Sequence, residues 1–385
     1  MKDLWYRFRT TRSPVGLHVS GRRLHLVQLQ GRFDRRDEHA VNAAAVIDLK
    51  TDQFDRNVVA EQLARVFDAG SFSTRKCHVS LPSNSVQVQP VRLPHMPDKD
   101  LKEALRWEAS ERFGHDRDSI EVDYLRTGAS LPGSESKEEV ILVCSTHEDL
   151  NTWLEPIFQA GLTPVGLEPS FAASARALSR GFRRDADRNT VRAIVEVEHD
   201  CSTVMILQGS RIVFCKSLSL GGGRMDAAVQ EHLKIDLETA AALRRARLVV
   251  AAGSKDASNV DPTADRAAFD ATRGILQELA REISLCLRYY GVTFRGTPPL
   301  GVILSGAEAL EPHLDEAIAE ATSLQVDHDD NIGSLKRLYG SGISPRLGFG
   351  AGHSSWSAAI GLALRGVQEE SSERRDEHVS RGRAA

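Results

Sequence analysis

Two stretches of this 385-residue chain, Val15–Leu29 and Ala193–Leu220, carry one pattern: an apolar strand, a tight turn, then another apolar strand. A hairpin repeated in the two halves of a long chain implies two equivalent lobes facing each other across a cleft. Such a cleft is suited to holding a nucleotide by its phosphates. Turns that hold phosphates need glycine, because a missing Cβ lets backbone N–H groups approach the oxygens. Here the hairpins carry His18-Val19-Ser20 and Glu196-Val197-Glu198. The shape suggests a nucleotide; the residues do not.

The length exceeds what one compact core supports, so two or more domains are expected. A net charge of −4 gives no long-range attraction to nucleic acid or to an anionic membrane. Cys77, Cys144, Cys201, Cys215 and Cys286 are odd in number and lack CxxC spacing, which reads as reduced, structural thiols in a cytosolic protein. No apolar run reaches the ~18 residues needed to span a bilayer. The segment MKDLWYRFRTTR is basic but lacks the apolar stretch of a signal peptide.

Periodicity predicts strands at Val15–Val19, Leu24–Gln30 and Ala40–Leu49, a helix from Phe54 to Ala69, and a strand at Cys77–Leu81. A β-α-β-β-α module follows. Its first helix is expected to be capped by Asp98 or by Asp100, the latter with Glu103 as a capping box, and its last helix to start at Thr146 and stop at Gly161. The second half repeats the opening with strands Ala193–Val197, Thr203–Gln208 and Arg211–Leu218. Gly221-Gly222-Gly223 then leads into helices through Leu233, over Leu237–Leu248 and over Ile275–Tyr290. A strand at Leu300–Leu304, a helix at Leu310–Thr322 and a last helix at Ser355–Arg365 complete it. These elements divide the chain into a first lobe (14–85), an inserted subdomain (86–162), a return to the first lobe (163–188), a second lobe (189–366, with a helical insertion at about 221–298) and a disordered charged tail (367–385).

Strand–strand–strand–helix–strand written twice, with a module inserted in the first half, resembles the actin-like (ribonuclease H-like) α/β fold of sugar kinases, FtsA and PilM. The likeness is closest to the PilM family of type IV pilus assembly proteins. Four segments carry it: Val15–Leu29, Leu93-Pro94-His95-Met96-Pro97 with the helix through Arg106-Trp107-Glu108-Ala109, Ser217–Gly223 with Lys234–Arg245, and Ile360-Gly361-Leu362-Ala363-Leu364-Arg365. The resemblance implies that the inserted module is SHS2-like. It also implies ATP-holding loops, and these depart from the family pattern. His18-Val19-Ser20 stands where Asp-x-Gly is usual, His25 where a basic residue is usual, and Glu196-Val197-Glu198 where the second Asp-x-Gly is usual. Ala240-Ala241-Ala242-Leu243-Arg244 replaces the purine-facing Ala-Glu-x-Leu-Lys, so Ala241 stands for the glutamate; Ser305-Gly306-Ala307 replaces a longer glycine run.

Imidazole is a poor Mg²⁺ ligand, and adjacent carboxylates repel a triphosphate. The expectation is therefore no catalytic residue, no resident metal and no required cofactor. ATP with Mg²⁺ is left open, with Gly221, Gly222, Gly223, Arg244, Ser305 and Gly306 as the remaining parts of its site. Glu198-His199-Asp200 reads as a polar turn, Gly348-Phe349-Gly350-Ala351-Gly352-His353 as a connector, and Arg244, Arg245 and Arg247 as a solvated helix face. Trp107 and Trp153 read as core or as part of a docking surface.

The resemblance implies a cytoplasmic scaffold, peripheral at the inner membrane. Its partner would be the cytosolic N-terminal peptide of a PilN-like single-pass protein, alongside other pilus or secretion platform components and with homo-oligomers left open. The alternatives are an ATPase or kinase with Glu196 in place of the usual aspartate, and an FtsA-like filament former.

Overall fold

The computed structural model describes residues 11–21, 23–31, 39–49, 55–128, 137–182, 185–252, 260–329 and 353–367. The basic segment before Thr11, the glycine run 348–352 and the tail from 368 onward lie outside these residues.

The first lobe is built from β1 (Thr11–Arg12), β2 (Val15–Ser20), β3 (Arg23–Gly31), β4 (Ala40–Asp48), α1 (Arg56–Asp68) and β5 (Lys76–Leu81). The inserted segment supplies β6 (Gln87–Pro94), α2 (Asp98–Phe113), β7 (Ile120–Arg126) and β8 (Lys137–Thr146). The chain continues through α3 (His147–Gln159), β9 (Thr163–Pro169) and α4 (Ser170–Leu178). The second lobe comprises β10 (Val191–Val197), β11 (Ser202–Gln208), β12 (Arg211–Leu218), α5 (Gly222–Leu233), α6 (Leu237–Ala251), α7 (Pro262–Thr293), β13 (Gly301–Ser305), α8 (Leu314–Thr322) and β14 (Gln325–His328). A final helix, α9, covers residues 357–367.

The two large sheets share one strand order. In the first lobe, β4, β3 and β2 are antiparallel neighbours, and β2, β5 and β9 follow in parallel. In the second, β12, β11 and β10 are antiparallel, and β10, β13 and β14 run parallel. The duplication extends to register: His18 pairs with Ser80 as Glu196 pairs with Ser305. Each hairpin therefore delivers an equivalent pair of residues, His18 and Ser20 or Glu196 and Glu198, to the same end of its sheet.

Each lobe has its own core. Leu17, Val19, Leu24 and Leu26 pack with Leu63, Phe67 and Val79 in the first, and Val195, Val204, Ile206 and Leu304 pack with Met225, Leu279, Ile283 and Ile318 in the second. Fully burying each such side chain is worth about 1.5–3 kcal/mol. The inserted sheet β6-β8-β7 carries α2 on one face, where Leu101, Leu105 and Ala109 meet Val140, Leu142 and Cys144.

Several expectations are corrected. Helix α3 does not belong to the inserted module: Ile157, with Ala160 and Leu162 just beyond it, joins the first-lobe core, and Trp153 and Leu154 pack beside them. The module thus ends with β8 instead of at residue 162. Its opposite sheet face rests on α4 and the second-lobe sheet, where Ile141 shares a core with Phe171 of α4 and with Met205, Leu207 and Cys215. Pro97, with neither Asp98 nor Asp100 capping, precedes α2, and both carboxylates lie in its first turn. Helix α7 starts at Pro262, ahead of the expected Ile275, with Asp261 capping the N–H groups of Thr263 and Ala264. Val367 is buried within α9 and is not the first residue of a tail. Among the described residues no helix is long and apolar enough to cross a membrane.

Candidate functional site

The cleft between the lobes is framed by the ends of β2 and β10, the glycine turn before α5, the turn after β13, and α6. The first lobe's hairpin turn leans directly on the second lobe. Gly21 has φ +51, and a Cβ there would lie 2.5 Å from the Cβ of His199.

Glu198 sits at the centre. Its carboxylate accepts a hydrogen bond from Ser20 Oγ across the cleft and another from the backbone N–H of Ala307 at 3.2 Å. His18 Nε2 stands 3.7 Å from Glu198 Oε1, while His18 Nδ1 is 2.7 Å from Ser80 Oγ. Glu196, two residues earlier near the end of β10, is enclosed by α4: Ser170 Oγ donates to Oε2 at 2.8 Å and Ser174 Oγ donates to Oε1. Burial, and then the neighbouring charge of Glu198, push the Glu196 carboxyl above its ordinary range. His25 is fully enclosed, its ring 5.1 Å from Trp356 and 6.0 Å from His18, and burial holds it well below the usual imidazole range.

Two N–H groups of the glycine turn are bonded within the chain. Gly222 N–H donates to the Glu198 carbonyl at 3.0 Å, and Gly223 N–H donates to the His199 carbonyl at 2.7 Å. A Cβ on Gly221 would lie 2.5 Å from both of those carbonyl oxygens, so this glycine permits the close packing of turn on hairpin. Gly306, at φ +101, allows the equivalent approach to the Val197 carbonyl. Ser305 Oγ donates to Asp329 Oδ2 at 3.3 Å.

Arg244 and Arg247 are not a solvated face; both are almost completely buried. Arg244 donates to the Gly222 carbonyl at 2.8 Å, to Asp226 Oδ1 at 2.7 Å, to Glu308 Oε2 at 2.7 Å and to Glu311 Oε2 at 2.8 Å. Arg247 donates to Glu311 Oε1 at 2.9 Å and to Asp265 Oδ1 at 2.7 Å. These charges staple α5, α6 and the turn after β13 together. Burial pushes the Asp226 carboxyl up, against the opposing pull of Arg244. Ala241 lines what remains of the cleft with Arg23, His199, Arg245 and Glu308, and the free volume there is about 40 Å³. That admits roughly three waters; drug-sized ligands occupy pockets of about 300–1,000 Å³.

The departures singled out in the sequence thus converge: His18, Ser20, Glu196, Glu198, Gly221–Gly223, Ser305 and Gly306 lie around one cleft, with Arg244 and Ala241 at its α6 side. Ser170, Ser174, Asp226, Glu308 and Glu311 were missed. Two signals pointed to part of this set. Arg244 and Arg247 stand three apart on one helix face, and Glu308 and Glu311 stand three apart just after the Ser305-Gly306 turn. Trp107 and Trp153 part company: Trp107 is 55% exposed with Arg117 stacked on its ring, and Trp153 packs against the first-lobe core.

The sequence pattern of the type IV pilus assembly protein PilM family matches residues 16–367. Among solved structures, a chain of a PilM–PilN type IV pilus biogenesis complex is similar with a TM-score of 0.73 at 20% identity, over 92% of this chain and 98% of that one. The ethanolamine utilization protein EutJ from Carboxydothermus hydrogenoformans is similar with a TM-score of 0.51 at 13% identity, over 93% and 91%. At these identities the likeness speaks for the fold: two actin-like lobes.

Proposed function

The chain belongs to the type IV pilus assembly protein PilM family, and on that premise we propose that it is a non-catalytic scaffold of a pilus assembly or related secretion platform. It works in the cytoplasm, at the inner membrane, by holding the cytosolic N-terminal segment of a PilN-like membrane protein. The observation that carries the non-catalytic part is the Glu198 carboxylate, which already occupies the centre of the cleft and is hydrogen-bonded from both lobes. With the Gly222 and Gly223 N–H groups bonded to the chain's own carbonyls, the donors that would cradle phosphates are in use. Arg244 is likewise committed, to three carboxylates.

Peptide capture needs none of these groups. Among the described residues, strands β7 and β9 each end a sheet and pair on one side, which is the geometry an extended peptide can extend by backbone hydrogen bonding. The similar PilM–PilN complex supports this choice of partner. Calorimetric titration of the nucleotide-free protein with the N-terminal cytosolic segment of a PilN-like protein from the same organism should give saturable binding. Its absence contradicts the scaffold reading. The ATPase reading predicts instead a Mg²⁺-dependent phosphate release that disappears in Glu196→Ala, and background release from the intact protein rejects it.

A further inference from the structure

In most two-lobed clefts a bound ligand bridges the halves. Here the bridge is made of the chain's own side chains: the second lobe supplies a carboxylate, and the first lobe supplies the groups that meet it across the cleft. Ser20 Oγ, at the end of β2, donates to Glu198. His18 faces the same carboxylate at 3.7 Å. Ser170 and Ser174, on α4, which itself packs on the second-lobe sheet through Phe171 and Ala175, donate to Glu196. Ser20, His18, Glu196 and Glu198 are all at least nine-tenths buried.

Glu198 is also held firmly from behind. Its own N–H donates to the Cys201 carbonyl at 3.0 Å, its carbonyl accepts from Gly222 N–H at 3.0 Å, and its carboxylate accepts from Ala307 N–H at 3.2 Å. The carboxylate is thus presented on a rigid mount. The first-lobe donors come from the other side, so parting of the lobes would exchange them for water, the only other partner able to satisfy a charge.

We propose that Glu198 forms an interlobe latch that closes the clamp without any ligand, with Ser20 and His18 as its keeper. The inserted module lies beside this junction: Ile141 of β8 shares a core with Phe171 of α4 and with Met205, Leu207 and Cys215 of the second lobe. The device concerns the free protein and does not depend on the identity of the partner.

Hydrogen–deuterium exchange of the full chain, without peptide or nucleotide, tests this in Ser20→Ala, Glu198→Ala and the double variant. Ser20→Ala removes only the keeper hydroxyl and leaves Glu198 with its second-lobe partner, so it reports even if Glu198→Ala is poorly folded. The expected result is exchange at least about tenfold faster in the segments around 18–24, 197–203 and 219–224, with the sheet interiors at β11 and β13 unchanged. The double variant should match the stronger single one, since both remove the same contact. Unchanged exchange at those turns, a uniform rise across both sheets, or fully additive effects would each overturn the latch.

Discussion

Replacing Arg244 by methionine would leave Asp226, Glu308 and Glu311 facing one another with no counter-charge from that side. Breaking a buried ion network by removing one member costs about 3–5 kcal/mol, because the remaining charges stay desolvated and unpaired. Urea unfolding of Arg244→Met should show that loss, far above the effect of Arg245→Met at the cleft mouth. Glu196 makes the opposite case. Its folded-state pKa lies above the ordinary value of 4.5, so the folded chain binds the proton more tightly than the unfolded chain does. Its ionised form therefore costs stability above the folded pKa, and that cost fades as pH falls through the window down to about 4.5. Glu196→Gln, which keeps acceptor and donor atoms for Ser170 and Ser174, should be at least as stable as the parent at pH 7. Its stability should depend less steeply on pH across the window; a less stable variant with an unchanged slope would contradict the assignment. At this scale the sequence showed which residues break the phosphate-loop pattern but not where their side chains go. Glu198 finds Ser20 across the whole first lobe and Arg244 finds Glu311 across an insertion, and no local spacing encodes such pairs.

Among the elements, α9 depends on glycine at two crossings. A Cβ on Gly361 would lie 1.8 Å from the Ala173 carbonyl oxygen, and one on Gly16 would lie 2.0 Å from that of Ala359. The helix is thus seated against α4 on one side and β2 on the other. Gly361→Ala and Gly16→Ala should each destabilise by about 1–3 kcal/mol or more through overpacking, read as a lowered urea midpoint; a neutral Gly361→Ala would mean the helix can move away. Most elements were legible because their apolar periods were clean, as in α1 and β10. Helix α7 was found only from Ile275 because its first turns are rich in Ala, Asp and Arg, although Asp261-Pro262 is a recognisable start. Strands β1, β9 and β14 went unread: β1 spans two residues, too few for a period to show, and the edge strands β9 and β14, paired in parallel, show little alternation. The period of α3 identified a helix but could not tell which sheet it covers.

At the scale of the whole molecule, the duplicated strand order is the part the sequence carried most clearly, because each half repeats the same hairpin and crossover. What holds the halves and the inserted module together was hidden. The module's outer helix α2 satisfies one sheet face, and only the three-dimensional structure reveals that the other face, through Ile141, is buried against α4 and the second lobe. Ile141→Ala should cost about 2–5 kcal/mol and make the module the first segment cut in limited proteolysis; protection equal to the parent's would place the junction elsewhere. The central claim is that the cleft is filled by the protein's own carboxylates and arginine, leaving a clamp that works without a nucleotide. A fluorescent ATP analogue titrated into the intact protein, with and without Mg²⁺, tests it most directly. The account predicts no saturable signal in either condition; saturable binding that an excess of unlabelled ATP displaces would contradict it.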